Sequence, residues 1–201
     1  MSYSQFTFKE LKERFDLNVT EEVSLFAHSR EIEASDLLRE TLSNNVPLAV
    51  AIGTEKARSE LIVAPILVEL RKDFENQISL FSGVDFNVSY DSGLNGFCDF
   101  IISQSPQQLF IESPVIVLVE AKNNNLKSGL AQCMAEMVAA NIFNQQENNK
   151  INKVYGAVTT GTSWQFLSLQ ENKVVIDLDE YSLRNTPQIL GILTSFISTT
   201  S

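Results

Sequence analysis

The run Val115-Ile116-Val117-Leu118-Val119-Glu120-Ala121-Lys122 is the tightest constraint on how this chain can fold. Five consecutive β-branched or leucine residues, entered through Pro114 and left through Asn123-Asn124-Asn125, read as a strand buried on both faces. Such a strand belongs in the middle of a sheet. Side chains alternate along a strand, so Glu120 and Lys122 point one way and Ala121 the other. One face of the strand's end therefore carries a carboxylate beside an ammonium. Taken alone, that spacing also describes an ordinary ion pair where a strand meets water.

The rest of the chain has the means to enclose such a strand. A length of 201 residues suits one domain with room for an added helical segment. With 44% hydrophobic and 20% charged residues and thirteen Phe, the chain is of the globular class. No apolar run reaches the roughly 18 residues of a membrane span. The start Met1-Ser2-Tyr3-Ser4-Gln5 lacks the basic and apolar parts of a signal peptide, so a cytoplasmic protein without membrane contact is expected. Cys98 and Cys133 have no metal-ligand spacing and are expected as small buried residues, not a disulfide. The formal charge of −10 counts against a simple nucleic-acid coat protein, whose phosphate contacts come mainly from clustered Lys and Arg. It leaves room for an enzyme whose acidic site is neutralised by bound cations, with weak DNA affinity on its own.

Residues 6 to 45 carry apolar positions at helical intervals and are expected to form two or three short helices ending near Asn44-Asn45. Residues 47 to 53 fit either a short strand or a buried helix lead-in. Thr54 is a good N-cap for an amphipathic helix from Glu55 to about Phe74, kinked by Pro65. Ile78 to Gly83 and Phe86 to Tyr90 alternate like strands. A second long helix is expected from Lys127 to about Asn144, then a solvated loop from Gln145 to Lys150. Strands at 154–159, 163–169 and 173–178 and a last helix from Pro187 to Ile197 complete the chain.

Within Gly96-Phe97-Cys98-Asp99-Phe100-Ile101-Ile102-Ser103, one acid interrupts an apolar strand. A carboxylate inside such a run must be paired, hydrogen-bonded or on a metal, which singles out Asp99. Glu60, at the edge of the first long helix's apolar stripe, and Gln132, on the early turns of the second, complete a set of polar positions in a recognisable order.

That order resembles the PD-(D/E)XK nuclease superfamily, whose signature is an acid followed tens of residues later by an acid-X-Lys at a strand end. The match covers roughly residues 54 to 168. It implies an α/β fold of the restriction-endonuclease-like kind: a central mixed sheet flanked by helices over residues 47–201, with a helical extension at 1–46. By the same resemblance Asp99 and Glu120 are metal-binding acids, Lys122 is the catalytic lysine, Glu60 is the helix acid that joins the metal site, and Gln132 matches a glutamine some branches carry. The stretch from Glu55 to Leu67 is also similar to the opening of the nuclease domain in type I restriction motor subunits, which makes Glu55 a rival to Glu60. The wider pattern, including Asn95 to Asp99, Val119 to Asn123 and Tyr155 to Gly161, is similar to a family of uncharacterised cyanobacterial proteins. Cys98 stands where the superfamily's name has proline, and Glu136 where the glutamine-bearing branches tend to have tyrosine.

The chemistry implied is Mg²⁺- or Mn²⁺-dependent hydrolysis of DNA phosphodiester bonds. Mg²⁺ prefers hard oxygen ligands and keeps several waters, so two carboxylates from neighbouring strands suit it. Lys122 would orient the attacking water or act as a fixed cation at the phosphate. Other designs lack their parts: His28 is the one histidine and reads as a surface residue, Trp164 reads as packing, and Gly53, Gly83, Gly93 and Gly96 form no phosphate-binding loop. Two alternatives stay open. One is a non-catalytic interaction module working with a protein partner or as a homo-oligomer, and the other is a small-molecule phosphodiesterase or nucleotide hydrolase.

Overall fold

A computed structural model describes residues 2–75, 77–149 and 151–198. The apolar run forms β4 (Val115–Ala121), buried along its whole length. Around it lie β1 (Asn18–Glu22), β2 (Ser79–Asp85), β3 (Phe97–Ser103), β5 (Val154–Thr159), β6 (Ser163–Gln170), β7 (Lys173–Asp177) and β8 (Tyr181–Ser182). They make one mixed sheet in the order β1-β7-β6-β5-β4-β3-β2, with β8 paired to β6 off this path. The pairs β4–β5 and β1–β7 are parallel and the others antiparallel. The architecture is α/β.

Each face of the sheet has its own apolar layer. On one, α5 (Lys127–Gln146) packs over β4 and β5, with α1 (Phe8–Phe15) beside it. Cys133, Met134 and Met137 of α5 meet Leu118 and Val158 there. On the other, α2 (Asp36–Ile52), α4 (Ala64–Asp73) and α6 (Thr186–Ser198) cover Val117, Val119, Trp164 and Phe166. A parallel pair needs a crossover, and α5 is the crossover from β4 to β5. Its register is fixed at the far end by Asn144, which accepts from Val115 N at 2.8 Å and donates to Val115 O at 2.7 Å. Close approach is permitted by Gly156, where a Cβ would lie 2.5 Å from Met137 Sδ and 2.7 Å from Cys133 Sγ.

Helix ends follow local chemistry. Gly53, at φ 70°, ends α2, and Thr54 starts α3 (Glu55–Arg58) by accepting from Ala57 N at 3.1 Å. The 47–53 segment is thus the last part of α2, which runs past the expected stop at Asn44-Asn45. Pro47 does not end it because it sits on the exposed side, where water can take the carbonyl its missing N–H leaves free. The expected distortion at Pro65 takes the form of a π-turn over Ser59–Val63, just before it. Pro65 has no N–H for the Leu61 carbonyl, and Asn45 Nδ2 donates to that carbonyl at 3.0 Å.

Other expectations differ as well. The first 46 residues are not wholly helical, since residues 18–22 form β1, registered from Asn18–Lys173 to Glu22–Asp177. The expected strand at 86–90 is irregular, held by bonds such as Phe86 N to Gly96 O at 2.9 Å. Gly83 does not separate two strands. At φ 59° it interrupts the ladder inside β2, between the Ser82–Phe100 and Val84–Cys98 pairs. In the 145–150 segment α5 continues to Gln146 and exposed turns follow, while Lys150 lies outside the described residues. No helix among the described residues is long and apolar enough to cross a membrane.

Candidate active site at the end of the central strands

Register brings the two strand acids level. Phe100 pairs with Val119, and one step further the antiparallel ladder sets Asp99 against Glu120. Both lie on the α5 side of the sheet, the face of the Ile101–Leu118 pair. Asp99 is half-buried, and its Oδ2 accepts from Ala121 N at 2.8 Å, a bond that pins β3 to β4 just past their last ladder pair. Glu120 is 1% exposed. Lys122 Nζ pairs closely with Glu120 Oε1 and donates to Gln132 Oε1 at 3.3 Å. Its own backbone N–H donates to Thr159 O at 2.7 Å, extending the β4–β5 ladder by one residue. The lysine's stem lies on α5 at Gly129, where a Cβ would meet Lys122 Cγ at 3.1 Å.

From the other side of the sheet end, α3 and the π-turn supply Glu55, Lys56, Ser59 and Glu60. With Ser82, Gly83 and Asp99 they line an open cleft of about 270 Å³. Gly83 lies at open space there, since a Cβ built on it would meet nothing within 4 Å. Glu60 points outward and pairs with Lys56 at 3.5 Å, both largely exposed, an interaction worth little in water. Glu55 is the helix acid whose charge acts on both Glu120 and Lys122.

Glu136 is the participant that spacing alone had not assigned to the site. It is 0% exposed, four residues after Gln132 on the same side of α5, and its Oε1 accepts from Gln132 Nε2 at 3.1 Å. The available signal was an acid inside α5's apolar stripe, between Met134 and Met137. Its carboxyl also feels the charge of Glu120. Yet Glu120 Oε2 and Glu136 Oε2 are both buried without a partner. Two acceptors cannot bond unless one carries a proton or a cation intervenes.

The electrostatics follow from that crowding. Burial, then the nearby Asp99 charge, push Glu120 up to about 7 against the pull of Lys122. Burial and then Glu120 hold the Glu136 carboxyl well above the usual range. Burial raises Asp99, partly offset by the Ala121 N–H and by Lys122. Burial works against the Lys122 ammonium, but the adjoining Glu120 carboxylate outweighs it and the lysine's pKa is raised. Lys122 is therefore a permanent cation at neutral pH.

Among the described residues no group of three or more His, Cys, Asp or Glu side chains is gathered tightly enough to hold a metal ion. The donors that fit a hard cation are two, Asp99 and Glu120, supported by Glu120's unpartnered buried oxygen. Cys98 and Cys133 are buried free thiols, His28 is exposed, and Trp164 is fully buried with its Nε1 donating to Gly161 O at 3.2 Å. Comparison of the chain with protein-family models and with curated proteins finds no match.

Proposed function

We propose that the chain is a cytoplasmic Mg²⁺- or Mn²⁺-dependent nuclease that hydrolyses DNA phosphodiester bonds on a restriction-endonuclease-like fold. One observation carries this reading: Asp99, Glu120 and Lys122 converge on one face where two central strands end, with a buried Glu120 oxygen left unpartnered. Buried acceptors without partners are costly in a fold and are kept where a ligand uses them. Asp99 and Glu120 would hold the cation, with Glu55 or Glu60 facing it across the cleft. A bound divalent ion supplies a more acidic water and offsets charge on the phosphate.

The chain's own residues do the rest. Lys122, protonated and held between Glu120 and Gln132, presents a fixed positive charge in a site where solvent screening is weak. That charge favours the extra negative charge that builds on the phosphate as water attacks phosphorus and the P–O bond to the leaving alcohol breaks. The open cleft lined by Ser82, Gly83 and Asp99 is where a phosphodiester of DNA would approach. The sequence holds no dense Lys/Arg cluster, and its charge of −10 is consistent with weak DNA binding unless a protein partner supplies cations.

A non-catalytic interaction module is the rival reading, favoured by the missing third ligand among the described residues and by the acidic balance. The deciding experiment incubates the full chain with plasmid, linear and single-stranded DNA, and separately with short nucleotides, with and without Mg²⁺ or Mn²⁺. Metal-dependent DNA cleavage that Glu120→Gln and Lys122→Ala abolish supports the nuclease. Cleavage confined to short nucleotides selects the small-molecule hydrolase, and no metal-dependent stabilisation or cleavage selects the interaction module.

A further inference from the structure

The Gln132 amide sits between two groups of opposite demand. Its Oε1 accepts from Lys122 Nζ at 3.3 Å, and its Nε2 donates to Glu136 Oε1 at 3.1 Å. An ammonium can only donate and a carboxylate oxygen here accepts, so one of the amide's two flipped orientations satisfies both neighbours and the other satisfies neither. Glu136 is itself 0% exposed, on a helix whose register to β4 is fixed by the paired Asn144–Val115 bonds.

A carboxyl at this position has no evident value to the fold. Its Oε2 is buried without a partner, whereas the adjacent stripe positions Met134 and Met137 fill the same layer with apolar groups. An apolar residue would pack there at no polar cost. We infer that Glu136 is a positioning residue for the lysine: it turns the Gln132 amide so that its carbonyl faces Lys122, and so holds the ammonium against Glu120. It acts through Gln132 and touches neither water nor phosphate. The purpose of this arrangement rests on the nuclease reading, but its geometry does not.

Two variants of similar length separate positioning from packing. Glu136→Gln keeps an oxygen that accepts from Gln132, while Glu136→Met keeps only the volume. The Met variant should lose about 10–100-fold in kcat with little change in KM, the usual cost of an outer-shell partner. Its melting temperature should stay level or rise, and Glu136→Gln should recover most of the rate. The side-chain amide resonances of Gln132, followed by NMR on the full chain without DNA, should move in the Met variant and return in the Gln variant. Unchanged resonances and rate in the Met variant, or a Gln variant as defective as the Met variant, would overturn the assignment. If the resonances respond as expected but the wild-type chain cleaves no DNA, the nuclease reading fails and the positioning geometry stands.

Discussion

Two clusters of buried acid in this molecule obey different rules. Asp177, 0% exposed at the end of β7, is fully served: it accepts from Phe26 N at 3.1 Å, Tyr181 Oη at 2.7 Å and Asp179 N at 3.0 Å. Glu120 and Glu136, equally deep beside β4, each keep a buried oxygen with no partner. The first cluster ties three segments together and leaves nothing to bind. The second is internally incomplete, and its incompleteness separates a site from a staple more reliably than burial does.

Substitutions can test that contrast, and the largest effect should fall on activity. Glu120→Gln should slow DNA cleavage about a thousandfold, near 4 kcal/mol of barrier, as for loss of one electrostatic group in a dry site. Its urea midpoint should hold or rise, since a buried charge is removed, and a marked fall would break the contrast. Asp177→Ala should do the reverse. Three stranded donors at about 1 kcal/mol each give on the order of 3 kcal/mol of lost stability in urea titrations, with cleavage per folded molecule retained.

The pH dependence is the next largest. Glu120 rises from an ordinary 4.5 to about 7 in the folded state, so the fold holds an extra proton between those values. Without metal, stability is greatest below about pH 4.5 on this account and is lost as pH rises through about 7, by on the order of 1–3 kcal/mol. Thermal melts across that window should show the decline, and Mg²⁺ should remove it by binding the ionised form. A flat profile would mean that Glu120 is as well served as Asp177. The smallest effect separates the helix acids. Glu55→Gln should lower cleavage several-fold by changing the field at Glu120 and Lys122, and by more than Glu60→Gln, whose partner is exposed Lys56. Equal rates in the two variants would refute that ranking.

Much of this was legible in residues whose meaning is local. The β4 run, the Thr54 cap and the acid interrupting β3 follow from alternation, capping chemistry and the cost of buried charge, and each lies where those rules put it. What stayed hidden depends on distant partners. Residues 18–22 read as part of a helical region because their strand character comes from β7, not from their own sequence. Nothing in the sequence around Asp177 marks it, for its donors come from Phe26 and Tyr181. Glu136 was visible as an acid in an apolar helix, yet only the close seating of α5 on β4 and β5, allowed by Gly129 and Gly156, shows what it faces. Gly83 read as a boundary because φ above zero serves turns and ladder interruptions alike.

The pairing of Asn18 with Lys173 has a consequence for how the molecule is made. During synthesis β1 leaves the ribosome well before the β7 edge that it completes. Until then it has no ladder, and the loop it must close is the longest in the sheet, so its docking is entropically the latest step. The strands bearing Asp99, Glu120 and Lys122 pair over short separations and need not wait. Loop closure thus favours assembly from the chemical centre outward, with the β1–β7 seam at one edge of the sheet sealed at the finish.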